Sequence, residues 1–77
     1  MRAKLFGVQE VDFTNGNGEK ISGWNIFTGF GDANVQGLRT EKFFLKEGVN
    51  LPKDVKLNDE IEISFNYKGK VEKIQKV

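Results

Sequence analysis

The chain has 77 residues, 38% of them hydrophobic, and its 12 Lys and Arg against 11 Asp and Glu give a formal net charge of +1. A chain of this length builds one core, so we expect a single domain over residues 1–77. The absence of Cys and His excludes a disulfide framework, an ordinary zinc site and a Ser-His-Asp triad. Apolar runs such as Phe43–Leu45 are far shorter than the ~20 residues of a membrane helix. The opening residues show no secretory signal, so we expect a cytoplasmic protein without a membrane partner.

The first predicted strand runs from about Ala3 to Thr14. Its apolar residues change parity along the strand, from Phe6 and Val8 to Val11 and Phe13. Because successive side chains of a strand point to opposite faces, we expect a bulge near Gln9-Glu10 to switch the buried face. Such a long, bent strand is typical of a small barrel in which one strand serves two sheets.

The second predicted strand follows a turn made of Asn, Gly, Asn and Gly at residues 15–18, which predicts a hairpin. It runs from about Glu19 to Phe30. Alternation predicts one core face and one more polar face that carries Phe27 between Asn25 and Gly29. The predicted core face holds Trp24, Ile26, Thr28 and Phe30. For Trp24 a stacking role at the base of the hairpin remains an alternative to burial.

Three further strands complete the prediction. The third runs from about Leu38 to Lys46, and a connection over residues 48–58 with the single Pro52 has room for about one helical turn. Residues 60–67 alternate cleanly, which predicts a strand with a core side and a water side. Its predicted core side holds Ile61, Ile63, Phe65 and Tyr67. Lys68-Gly69 is a turn candidate before a last strand over residues 70–77.

These five short strands predict an all-β fold, a small five-stranded antiparallel barrel. The long first strand and the position of the longest connection favour an OB-fold-like topology, and an SH3-like barrel is the alternative. Closure of the sheet would remove most of its exposed edges.

The acidic residues do not predict an enzyme. The carboxylates of Glu10, Asp12, Glu60 and Glu62 lie where solvent-facing strand residues are expected, so an acid and base pair is not indicated. Asp54, Asp59 and Glu60 match no calcium-loop spacing. We therefore expect no catalytic residue, no metal and no cofactor.

A pattern of aromatic and basic residues points to nucleic acid instead. Lys42, Phe44 and Lys46 share one parity of the third strand, and Phe27 lies on the more polar face of the second. A ring flanked by ammonium groups stacks a base of any sequence while the cations contact phosphates. The alternatives are that Phe44 packs inward and Phe43 points out, or that both are buried through a bulge.

The charges are also unevenly distributed along the chain. Residues 68–77 hold four Lys against one Glu, a balance of +3, whereas residues 54–62 hold four acids against one Lys, a balance of −3. A barrel polarised in this way can attract a polyanion to one face despite its small net charge.

Several residues of the chain resemble the helix-destabilising, single-stranded-DNA-binding proteins of filamentous phages, the gene V protein family. The similarity lies in Phe13-Thr14, in Gly18 and Gly23 at the spacing of that family's DNA-binding wing, and in the basic final hairpin from Tyr67 to Val77. The strand order and the single Pro in the third connection are also similar.

The resemblance implies an OB-fold, a homodimer and binding of single-stranded DNA or RNA with little sequence preference, in replication of a phage or mobile element. It implies contacts from Lys20 on the hairpin that corresponds to the wing, from Tyr67 with Lys68, and from basic residues on the central strands. Val35 and Ile21 stand where the family commonly has an aromatic and a basic residue. The complete set of predicted nucleic-acid-binding residues is Lys20, Trp24, Phe27, Arg39, Lys42, Phe44, Lys46, Tyr67, Lys68 and Lys70.

The rival hypothesis is a small protein-binding module. A compact barrel with an exposed aromatic patch is also suited to a phage-type inhibitor of a host enzyme. In that case the acidic segment over residues 54–62 would be its binding face.

Overall fold

The computed structural model describes residues 1–77, and it confirms the all-β prediction. There are five strands and no helix, including in the connection around Pro52, where a single turn closes with a hydrogen bond from Val55 N–H to the Pro52 carbonyl. The strands are β1 (Arg2–Thr14), β2 (Lys20–Gly31), β3 (Leu38–Lys46), β4 (Glu60–Phe65) and β5 (Val71–Lys76).

All neighbouring strands are antiparallel, in the order β3-β2-β1-β4-β5. The long β1 is the central strand, since it pairs with both β2 and β4, and β3 comes close to β5 without a hydrogen-bonded ladder. The sheet is therefore a small barrel that remains open between β3 and β5, as in the partly open five-stranded barrel of the OB type.

The bulge in β1 lies earlier than the sequence predicted. The register shifts between Leu5 and Gly7, so that Phe6 is the extra residue, and no shift occurs near Gln9-Glu10. After the bulge Val8 pairs with Ile26 on the inner face. Strict alternation would place Phe6 and Val8 on the same face of β1. The extra residue changes the alternation, so Phe6 lies on the outer face and Val8 on the inner face.

The core consists of aliphatic side chains from all five strands. Its only buried polar side chain is Thr28, whose hydroxyl donates to the Glu41 carbonyl oxygen over 2.9 Å, so no polar atom is buried without a partner. Phe43 packs against this core and meets Phe65 edge to face, with ring centroids 5.6 Å apart. The eight buried apolar residues are Ala3, Leu5, Ile26, Leu45, Ile61, Ile63, Val71 and Ile74.

The two hairpin turns are built in the same way. In the β1–β2 turn, the side-chain oxygen of Asn15 accepts hydrogen bonds from two backbone N–H groups, and Gly18 has a φ of 80°. In the β4–β5 turn, Asn66 does the same and Gly69 has a φ of 78°. Asn favours such turns because its side chain replaces a backbone acceptor, and Gly adopts positive φ without strain. Both predicted turns are confirmed.

The Asn66 turn also corrects the predicted end of the fourth strand. β4 ends at Phe65, after a register shift between Ser64 and Phe65, and Tyr67 belongs to the turn. Ile61 and Ile63 are buried as predicted, but Phe65 is partly exposed and Tyr67 is 93% exposed. Alternation alone could not show that Asn66 would capture the N–H groups that follow it.

The distal half of the β1–β2 hairpin extends beyond the core. β1 pairs with β4 only from Arg2 to Lys4, whereas it pairs with β2 from Lys4 to Thr14. Trp24 lies on the inner side of β2, as its parity predicted, but opposite Glu10 and past the last core layer. It is 39% exposed, so the prediction that it belongs to the core is wrong.

Candidate nucleic-acid interface

The outer face of β2 and β3 brings the predicted aromatic and basic residues together. In the β2–β3 register, Phe27 lies opposite Lys42, and Asn25 lies opposite Phe44. Residues directly opposite each other in an antiparallel pair share a face, so these four side chains form one surface. Gly23 and Lys46 continue it toward the end of β3.

The structure also decides between the two neighbouring phenylalanines of β3. Phe43 lies opposite Ile26 and packs against the core, whereas Phe44 points outward and is 42% exposed. Phe27 is 39% exposed. The predicted exposure of Phe27 is therefore confirmed, and for Phe44 the structure selects the outward orientation among the alternatives that the sequence left open.

Each exposed ring of this face lies close to a glycine of the neighbouring strand. A Cβ atom added at Gly23 would lie 2.7 Å from Cζ of Phe44, and one added at Gly7 would lie 3.5 Å from Cδ2 of Phe27. The missing side chains leave room for each ring to lean over the adjacent strand. This arrangement keeps the rings near the sheet while a large part of their surface stays open to solvent.

The lysines beside these rings are free of carboxylate partners. Lys42, Lys46, Lys68 and Lys70 take part in none of the ion pairs of the molecule. An unpaired exposed ammonium group can contact a phosphate without first giving up an ion pair. These lysines therefore provide the available positive charge of the surface.

The β4–β5 turn adjoins the outer face of β3. A shallow depression of about 210 Å³ lies between them and is lined by Lys42, Phe43 and Phe44 on one side and by Gly69, Lys70 and Val71 on the other. The Lys68 ammonium lies 5.7 Å from the centre of the Tyr67 ring, within cation–π range. The basic turn and the aromatic face of β3 thus form one continuous surface.

Three of the predicted residues lie away from that surface. Trp24 is on the opposite side of β2, in a cleft with Val8 and Leu51. Lys20 is at the start of β2, beside the β1–β2 turn, where its ammonium lies 3.8 Å from the Asp12 carboxylate. Arg39 lies opposite Phe30, on the other face of β3 from Lys42 and Phe44.

Arg39 is held by two carboxylates. Its guanidinium donates to Asp32 over 3.2 Å and to Glu41 over 3.0 Å, and it lies 5.9 Å from the centre of the Phe30 ring. Hydrogen bonding to Asp32 and then to Glu41 raises the pKa of Arg39. The pKa of Asp32 is lowered by the backbone N–H of Asn34 and then by Arg39. Arg39 therefore anchors the β2–β3 loop.

The acidic segment over residues 54–62 is partly neutralised by neighbouring cations. Asp59 lies 3.8 Å from the Lys76 ammonium and accepts a hydrogen bond from the Lys56 N–H. Glu62 pairs with the N-terminal amino group over 2.6 Å and with Arg2 over 3.9 Å. The hydrogen bond from the amino group lowers the pKa of Glu62. The charge of −3 counted along the sequence is thus partly offset in space.

Phe6 is an outer-face aromatic that the sequence argument missed. It follows the buried Leu5 and points outward, where it is 39% exposed and lies over Gly29, which is buried. A Cβ atom added at Gly29 would lie 2.8 Å from Cζ of Phe6 and 3.4 Å from Cδ1 of Leu38. The signal in the sequence was the pair of glycines, Gly7 after Phe6 and Gly29 on the partner strand.

Comparison with protein-family models, with curated proteins and with solved structures finds no match to this chain. No group of three or more acidic residues lies close enough to hold a metal ion. The structure contains no helix long and apolar enough to cross a membrane. The arrangement on the outer face, rings beside unpaired cations, is suited chemically to stacking and to phosphate contact rather than to proton transfer.

Proposed function

We propose that the protein binds single-stranded DNA or RNA with little sequence preference, through the outer face of β2 and β3 and the adjoining β4–β5 turn. The resemblance to the gene V protein family adds a helix-destabilising role in replication of a phage or mobile element. The proposal includes no catalytic step.

The observation that carries this proposal is the pairing of Phe27 with Lys42 and the position of Phe44 on the same face. Stacking on an aromatic ring is sequence-tolerant because every base has a π face, and lysines on the same surface can follow the phosphates. The absence of ion pairs at Lys42 and Lys46 supports the same reading.

The position of this surface on the barrel gives a second line of support. OB-folds bind oligonucleotides on the face of their second and third strands and with the loops after the first and fourth strands. In this chain that face carries Phe27 and Phe44, and the loop after β4 carries Tyr67, Lys68 and Lys70. The loop after β1 is the wing, on which Lys20 is the exposed cation.

The protein-binding alternative has less support. An inhibitor acting through residues 54–62 requires a strongly acidic face, but Asp59 and Glu62 both have cationic partners. The lysines of the proposed nucleic-acid surface, in contrast, have no ionic partners.

We also propose that the protein is a homodimer. The projecting hairpin leaves Val8, Phe13 and Trp24 between 39% and 54% exposed, and a two-fold symmetric contact would cover apolar groups that the barrel cannot. Sedimentation at about 100 µM, well above the Kd of an ordinary specific dimer, is expected to give twice the monomer mass. A monomer at that concentration would contradict the dimer but not the nucleic-acid surface.

The salt dependence of oligo-dT binding tests the proposed function. Each phosphate contact releases counterions, so the logarithm of affinity falls with the logarithm of salt at a slope of about −0.7 for each neutralised charge on a single strand. Lys42→Ala is expected to flatten the slope by about that amount.

Lys53→Ala is the matched control, because Lys53 lies in the β3–β4 connection outside the proposed surface. It removes the same charge from the protein and is expected to leave the slope nearly unchanged. The proposal is wrong if oligo-dT does not bind at low salt, or if the two lysine variants behave alike.

A further inference from the structure

We propose that the slot between Phe6 and Phe27 is a base-binding position, in which a nucleobase of the single strand stacks on the Phe6 ring. This inference rests on the proposed function and extends the binding surface from β2 and β3 onto β1. The slot has a volume of about 240 Å³ and is lined by Phe6, Phe27, Thr28, Thr40, Glu41 and Lys42.

The bulge in β1 shapes this position. Phe6 follows the buried Leu5, so it points to the outer face, and the extra residue places Gly7, opposite Phe27, on that face as well. The Phe6 ring therefore lies over Gly29 and beside Phe27, with no side chain at position 7 between the two rings. Bulges are common next to functional surfaces.

The spacing of the rings matches a track along β2. Phe44 lies over Gly23 and Phe6 lies over Gly29, with Phe27 between them. Six residues of strand span ~20 Å, which at the 3.4 Å spacing of stacked nucleotides corresponds to about six nucleotides. Phe6 thus continues the same line of rings rather than starting a separate one.

The polar groups of the slot fit a base of any kind. The side chains of Thr28 and Glu41 have the inner parity of the sheet and are engaged there, since the Thr28 hydroxyl donates to the Glu41 carbonyl and the Glu41 carboxylate binds Arg39. The Thr40 hydroxyl and the Lys42 ammonium remain free. A hydroxyl both donates and accepts, so it can meet either kind of group on a base edge. The Lys42 ammonium can contact the phosphate next to that base.

A cross-strand contact between Phe6 and Gly29 also has a purely structural explanation, because an aromatic ring can cover the exposed backbone of a glycine in a sheet. Phe6→Leu separates the two roles. Leucine still covers Gly29 with apolar atoms, but it has no aromatic face on which a base can stack. The proposal therefore predicts that leucine restores stability and does not restore binding.

The experiment compares two ligands of about six nucleotides, oligo-dT and an abasic oligonucleotide with the same sugars and phosphates. We expect Phe6→Ala and Phe6→Leu to weaken oligo-dT binding by about 5- to 150-fold, the effect of one lost stacking contact. Both variants are expected to bind the abasic strand as the wild type does. Lys42→Ala, in contrast, is expected to weaken binding of both ligands.

The inference is overturned if Phe6→Leu binds oligo-dT as tightly as the wild type, since the ring would then only cover Gly29. It is also overturned if both Phe6 variants bind oligo-dT normally while Phe27→Ala and Phe44→Ala weaken it; in that case the proposed function stands. If the wild type binds neither ligand, the proposed function itself is wrong. Thermal unfolding of each variant shows that the compared proteins are folded.

Discussion

The two faces of β2 differ in how far their apolar side chains are buried. On the inner face Ile26 has no exposed surface, and Thr28 is buried with its hydroxyl bonded. On the outer face Phe27 keeps 39% of its surface open, although full burial of such a ring would stabilise the fold by about 1.5–3 kcal/mol. One exposed ring is ordinary on a protein surface, but three rings on one face beside unpaired lysines are the feature on which the proposed binding surface rests.

The largest expected effect is on the inner face. Ile26→Ala removes a fully buried side chain, so we expect the free energy of unfolding to fall by about 2–5 kcal/mol. Phe27→Ala, one residue along the same strand, is expected to cost clearly less. Urea unfolding of the two variants makes the comparison, and equal losses would show that the two faces do not differ as described.

The close contact between Gly23 and the Phe44 ring can be tested by substitution of the glycine. In Gly23→Ala the new methyl group would meet the Leu45 carbonyl oxygen and lie 2.7 Å from the Phe44 ring. Overpacking of this kind typically costs about 1–3 kcal/mol. Gly16→Ala is the control, because nothing lies within 4 Å of its added Cβ atom. Thermal melts should separate the two; a Gly23→Ala protein as stable as Gly16→Ala would contradict the described contact.

The outer rings are expected to matter for binding. Phe27→Ala or Phe44→Ala should weaken oligo-dT binding by about 1–3 kcal/mol, because each removes a stacking surface, while the salt slope stays nearly the same. Leu57→Ala removes an exposed apolar side chain from the β3–β4 connection and should have no effect. Fluorescence anisotropy measures all three, and normal binding by both Phe variants would remove the basis for the aromatic surface.

Local patterns in the sequence predicted most of the fold. The two hairpin turns, the limits of β3 and the outward orientation of Phe27 all follow from side-chain alternation and turn chemistry, which act over a few residues, whereas the choice between Phe43 and Phe44 as the exposed ring was left open. The placement of the bulge and the exposure of Trp24 depend on which strand pairs with which, and for how long. Those are properties of the assembled barrel. Alternation alone therefore did not identify Phe6 as part of the outer face, and it assigned Trp24 to the core.

The smallest expected effect concerns the loop held by Arg39. The backbone N–H of Asn34 and the guanidinium of Arg39 lower the pKa of Asp32 below its ordinary value of 3.8. A carboxylate with a lowered pKa in the folded state stabilises the protein above the unfolded value, and that contribution is lost as pH falls through the folded value. Asp32→Asn should therefore be slightly less stable than the wild type near neutral pH and equally stable in acid.

The free energy of unfolding of the wild type and of Asp32→Asn is to be measured at several pH values, from neutral pH down to below the folded-state pKa of Asp32. Because the pair is exposed, the difference is expected to be small and to shrink in high salt. A difference that grows as the pH falls would contradict the sign of this account.

The central claim, that single-stranded nucleic acid occupies the outer face of β2 and β3, is tested most directly by NMR with ¹⁵N-labelled protein and unlabelled oligo-dT. Amide chemical shifts are expected to change on β2 and β3 around Phe27, Lys42 and Phe44 and in the turn around Gly69. The amides around Trp24 should change less. Unchanged spectra, or changes confined to the Trp24 side of the sheet, would contradict the claim.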